Sequence, residues 1–131
     1  MAVPYSIFNT RSGTDANAPA LVGASLTGVV TAYSDPWSGE SADGFNLSVF
    51  TTGTLSGTFT LWMTDKPYPG LADDTDWIQD TSFAPTNPAG GAVKFQDAAG
   101  NTKAYRKRLK FVNASGTGTI TGYVTVPHFA Y

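Results

Sequence analysis

The chain has 131 residues, no cysteine, a formal net charge of −2 and only 14% charged residues. One domain fits this length, and roughly two-thirds of the unfolded surface can be buried without a covalent staple. The missing cysteines exclude disulfides, thiolate metal sites and a cysteine nucleophile. The charged share is below the quarter or so of an ordinary domain, as expected of a component resting against other protein.

In chain order, residues 3–9 alternate weakly and predict an edge strand, where Pro4 is tolerated because it has no N–H to donate. The first ten residues have neither the basic nor the apolar segment of a signal peptide, and no run has the ~18 apolar residues of a membrane helix. Neither export through a leader nor a membrane partner is expected. Residues 10–19 read as loop. Residues 21–33 compete between helix and strand; Gly23, Gly28 and the Val29-Val30-Thr31 run favour a strand bent or bulged at a glycine. Residues 34–44 read as loop.

Residues 45–52 alternate, with Phe45, Leu47 and Val49 on one side and Asn46, Ser48 and Phe50 on the other. Residues 56–64 set Phe59, Leu61 and Met63 against Thr58, Thr60, Trp62 and Thr64. The short linker between them predicts an antiparallel hairpin. Residues 65–91 hold Pro67, Pro69, Pro85 and Pro88 and form a connection long enough to suggest an interaction segment; 76–83 reads as a short strand or one helical turn. Residues 92–97 predict a short strand. Residues 105–126 predict a second hairpin, its first arm basic and its second a Thr/Val/Ile ladder. Leu109 and Phe111 are expected to pack with Ile120, Val124 and Val126. The whole predicts one all-β domain over 1–131, a β-sandwich or jelly roll of about eight antiparallel strands, with 1–20 and 127–131 as extended arms.

Catalytic chemistry finds little support. His128 is the lone histidine, and no nucleophile elbow, phosphate loop or dinucleotide fingerprint is present. No catalytic residue and no cofactor is assigned, and the chain is not expected to be an enzyme. Residues 65–80 carry a charge of −4, and Asp73, Asp74 and Asp76 have the oxygen density that Ca²⁺ favours. The EF-hand glycine and terminal glutamate are missing, so a solvated acidic loop is the plainer reading. The sequons at Asn46 and Asn113 are taken as chance matches.

Five of the eight Lys/Arg residues fall within 103–110. On a strand, Arg106, Arg108 and Lys110 share one face, and Tyr105, Lys107, Leu109 and Phe111 the other. Aromatic residues are not interleaved on the basic face, so a protein neighbour is preferred over nucleic acid. Reversal of the three charges is expected to spare the fold. Candidate interface residues are these three with Trp62 and the arm residues Tyr5, Phe8, Phe129 and Tyr131. Trp37, Trp62, Trp77 and Tyr68 are candidate platforms for sugar stacking.

Three runs, PYSIFNTRSGTDANAPALVGASLTG, LWMTDKPYPG and KAYRKRLKFVNASGTGTITGYVTV, give the chain a style that resembles the capsid decoration (cement) proteins of tailed bacteriophages. The resemblance spans most of the chain but has no diagnostic motif, and no site residue is carried over from it. It implies a jelly-roll protein on the outside of a phage capsid, in the virion. Such a protein binds the major capsid protein, bridges neighbouring subunits as a homodimer or homotrimer, and needs no cofactor. The alternative is a carbohydrate- or receptor-binding module of a virion.

Overall fold

Period-two alternation and β-branched residues make strands of most of the described residues. The computed structural model describes residues 5–6, 24–39, 46–97 and 104–125. Among these there is no helix, and so none long and apolar enough to cross a membrane. The described residues form ten strands: β1 (Tyr5–Ser6), β2 (Ala24–Thr27), β3 (Val30–Tyr33), β4 (Trp37–Gly39), β5 (Asn46–Thr51), β6 (Ser56–Thr64), β7 (Ile78–Asp80), β8 (Lys94–Asp97), β9 (Ala104–Ser115) and β10 (Thr117–Thr125). All pairings are antiparallel. Sheet A runs β1-β10-β5-β8, with β2 also on β10; sheet B runs β3-β9-β6-β7, with β4 also on β9.

The core lies between the sheets, as in a β-sandwich. Leu26, Leu47, Val49, Ile120 and Val124 of sheet A meet Trp37, Phe59, Leu61, Leu109 and Phe111 of sheet B. Full burial of one large apolar side chain contributes about 1.5–3 kcal/mol. Phe59 sits 4.5 Å from Phe111 and 5.3 Å from Phe95, and Phe83 packs edge-on against Phe95 at 6.1 Å, closing the side beside β8.

Neither expected hairpin is present. β5 and β6 lie in different sheets, and so do β9 and β10, which are joined by Gly116 alone. Alternation tells which residues face the core and is silent about which strand lies alongside, so a short linker fits a sheet-switching corner as well as a hairpin turn. The 21–33 stretch also divides, β2 in sheet A and β3 in sheet B, with the bend at Gly28 (φ 68°). The expected 34–44 loop contains β4, which pairs with β9.

Three sheet-switching corners therefore meet, and Asn113 ties them together. It is fully buried; its Oδ1 accepts from Ser56 N (3.2 Å), and its Nδ2 donates to the carbonyls of Gly28 (2.8 Å) and Gly116 (3.2 Å). Gly28 N adds a 3.0 Å bond to Gly116 O. Gly116 has φ 85°, and a Cβ there would overlap the Thr54 carbonyl oxygen, so glycine is required at this corner. The Asn113 sequon is thus structural, with no amide free to carry a glycan.

The long 65–91 connection is two segments separated by β7. The second, continued to Val93, runs down the side of the sandwich and pairs with backbone groups in β5, in β6 and at Leu55 between them. Gly57 N donates to Pro88 O (3.1 Å), Phe59 N to Asn87 Oδ1 (2.9 Å), Gly90 N to Leu55 O (3.0 Å) and Thr51 N to Val93 O (2.9 Å). The first segment crosses the outer face of sheet B.

Candidate interaction surface

Strand β9 projects Arg106, Arg108 and Lys110 from the outer face of sheet B, as their spacing requires. They do not form an open stripe. Arg108 is fully buried, its guanidinium held between the rings of Tyr33 (4.0 Å) and Trp77 (4.3 Å). Its Nη1 donates to Leu71 O (2.9 Å), and its Nη2 donates to Asp73 O and to the Asp74 carboxylate (3.2 Å). Lys110 Nζ pairs with the same Asp74 carboxylate and lies 5.2 Å from the Trp62 ring. The groups that meet Arg108 and Lys110 belong to the chain's own 71–74 loop, not to a neighbouring protein. Burial lowers the Arg108 pKa, and the nearby Tyr33 and Asp74 oppose that shift. Burial, followed by the Asp74 charge, raises that of Tyr33.

The other cations behave differently. Arg106 folds back on its neighbour, stacking on the Tyr105 ring at 4.0 Å and donating to the Tyr105 carbonyl (3.0 Å) and hydroxyl (3.2 Å). Lys107, placed by alternation with the apolar residues, is 1% exposed. A phosphate backbone would find few of these charges within reach.

The three aspartates with the oxygen density for Ca²⁺ point to different partners. Asp73 accepts from Thr75 N (3.0 Å), which lowers its pKa; Asp74 holds Arg108 and Lys110. Asp76 accepts from Lys66 Nζ and Gly70 N, both at 2.7 Å, and these bonds lower its pKa. Among the described residues no three His, Asp or Glu side chains converge as a metal site would need.

Of the four stacking candidates, Trp37 (2% exposed) and Trp77 (5%) are buried rather than presented on loops. Trp77 is fixed by its Nε1 donating to Gly70 O (2.8 Å). Trp62 is half-buried, its Nε1 bonded to Thr60 Oγ1 (2.7 Å). Tyr68 is 92% exposed. Tyr5 enters through its backbone, paired with Val124; Phe8, Phe129, Tyr131, His128, Val126 and most of both arms lie outside the described residues.

The outer face of sheet A has the opposite chemistry. Register sets Phe50 beside Thr121 and Lys94, and Ser48 beside Tyr123 and Gln96. Phe50 is 45% exposed and meets Tyr123 edge-on at 6.4 Å, while Thr52 and Thr119 share a 2.6 Å hydroxyl bond. Lys94 is the one charged side chain among these residues. Phe50 carried a signal in the sequence, as the apolar residue on the polar side of its strand, whereas nothing marked Tyr33 as the lid of a buried arginine. The basic residues of β9 and Tyr123 of β10 lie on different sheets. No protein-family model matches this chain, and no curated protein matches it.

Proposed function

We propose that this chain is a non-enzymatic structural protein of the virion. It docks on the outside of a phage capsid shell, bridges neighbouring copies of the major capsid protein and associates with itself as a dimer or trimer. The observation that carries this reading is the outer face of sheet A, a surface of Thr, Ser, Asn and Gln around exposed Phe50 and half-buried Tyr123, with Lys94 as its charge. Aromatic residues in a weakly charged setting are the usual composition of a protein interface core. The choice of a phage shell rests on the sequence's resemblance in style to decoration proteins. A repeated shell holds many copies, so a modest contact per copy suffices when copies are linked. The cations and carboxylates of β9 and the 65–77 loop support the non-enzymatic part, because the fold uses them on one another.

The test is co-sedimentation with expanded and unexpanded shells of the cognate phage. Wild-type protein is expected to pellet with expanded shells, and the Phe50→Ser/Tyr123→Ser double variant to remain in solution while folded by circular dichroism. Absence of wild-type binding to shells overturns the reading, and full binding by the double variant moves the docking face elsewhere.

A further inference from the structure

Residues 65–77 leave β6 after Thr64, return to β7 at Ile78 and cross the outer face of sheet B in between. Among the described residues, no backbone–backbone hydrogen bond joins 65–76 to either sheet, and Trp77 is the one buried side chain of the segment. Its seat is therefore made by side chains, and chiefly by one. Arg108 bonds Leu71 O, Asp73 O and the Asp74 carboxylate, and its guanidinium lies against the Trp77 ring. Lys110 and the Tyr33 hydroxyl meet the same carboxylate, and at the root of the segment Asp65 Oδ1 accepts from Tyr105 N at 3.0 Å. The segment is also tied to itself. Asp76 accepts from both Lys66 Nζ and Gly70 N, Trp77 Nε1 donates to Gly70 O, and Trp77 N donates to Asp74 O at 3.0 Å.

Closure has a cost that falls on the residue holding it. Arg108 is fully buried, yet its Nε–H has no hydrogen-bond partner among the described residues, and burial works against its charge. A buried donor left unmet opposes the state that buries it, and rehydration on opening removes that opposition. A segment with few buried apolar contacts and no ladder to the core opens at lower free energy than the whole domain. We propose that residues 65–77 are a lid that opens as a unit while both sheets stay folded, with Arg108 as its latch. Closed, the lid neutralises the outer face of sheet B. Open, it bares Tyr33, Trp62, Arg108 and Lys110, a cationic and aromatic surface. Lid opening belongs to the free protein and does not depend on the capsid reading.

The experiment is native-state hydrogen exchange by NMR at low urea. Arg108 Nε–H is the lid probe, because Trp77 covers it, and the paired amides of β6 and β9 are the sandwich probes. In wild type the protection of Nε–H is expected to be at least tenfold below that of the amides and nearly independent of urea. Asp74→Ala is expected to lower it at least a further tenfold; Asp74 is only half-buried, so that variant is expected to keep its fold. Asn113→Ala, remote from the lid, is expected to lower the protection of the amides and leave that of Nε–H unchanged, since the lid-open sandwich loses the same bonds as the closed one. Ile120→Val takes its place if that variant does not fold. Nε–H protection equal to that of the amides, with the same urea dependence, overturns the lid. So does a fall in Nε–H protection under the sandwich variant that matches the fall in the amides. Nε–H protection unmoved by Asp74→Ala overturns the latch.

Discussion

Replacing Asn113 tests whether the three corners act as one unit. In Asn113→Ala the Ser56 N–H and the Gly28 carbonyl lose the partners they have at 3.2 and 2.8 Å, while the Gly116 carbonyl keeps Gly28 N at 3.0 Å. Two backbone groups are then stranded; at roughly 1–2 kcal/mol each for half-buried positions, the loss is about 2–4 kcal/mol. That is a large part of the 5–15 kcal/mol that holds a typical domain. With an m-value of roughly 1.5 kcal/mol/M, the urea midpoint falls by about 2 M. Asn113→Asp keeps the shape but turns a carboxylate toward two carbonyls in a buried site, and at neutral pH it is expected to cost more than alanine. Burial and those carbonyls raise the folded pKa of that aspartate above its unfolded value. Its charge penalty is thus full at high pH and fades as pH falls through the folded pKa, where the neutral acid can donate to one carbonyl. The measurement is the urea midpoint of both variants from neutral to acid pH, each against wild type, with exposed Asn46→Ala as the surface control. A loss under ~0.5 kcal/mol for Asn113→Ala, the scale of an ordinary surface change, would refute the reasoning. So would an aspartate variant no worse than alanine at neutral pH.

Two further predictions concern the lid over sheet B. Arg108→Asp is expected to unfold the domain or cost more than the ~3–5 kcal/mol of breaking a buried pair, because it sets a carboxylate beside Asp74 under Trp77. Arg108→Met keeps an apolar stem beneath the rings without a buried charge and is expected to be far milder, with near-UV circular dichroism and urea unfolding as the readout. Charge reversal that spares the fold, the outcome expected from an open stripe, would contradict the burial. For Asp76, the bonds from Lys66 and Gly70 depress the folded pKa. Its contribution is therefore present above the unfolded carboxylate value and lost as pH falls through the folded one. The stability gap between wild type and Asp76→Asn should close in acid and shrink with salt; a gap independent of pH would mean that the clamp contributes nothing through charge.

How far the sequence carried depends on which interaction each residue makes. Strand existence and inward faces were legible, because Leu47, Val49, Phe59, Leu61, Leu109 and Phe111 declare themselves by period-two spacing and all lie in the core. Strand partnership was not, since a one-residue linker at Gly116 serves a sheet-switching corner as well as a turn, and the residue that decides, Asn113, contacts corners 57 and 85 positions away. The charged site failed for a related reason. Alternation put Arg108 on the outer face, which is right, but an outer face is exposed only if nothing crosses it. The sequence held both halves of the answer, −4 over residues 65–80 and five cations within 103–110, on segments joined only by the fold. Trp77 was the further signal, a large aromatic in an acidic loop that requires a surface to cover. Because the lid and the strand neutralise each other, charge is removed from the part of the surface where it was most concentrated. Among the described residues, what remains for a partner is chiefly shape and apolar contact, at Phe50 and Tyr123 on the outer face of sheet A. Binding by this protein should therefore depend far more on those aromatics than on ionic strength.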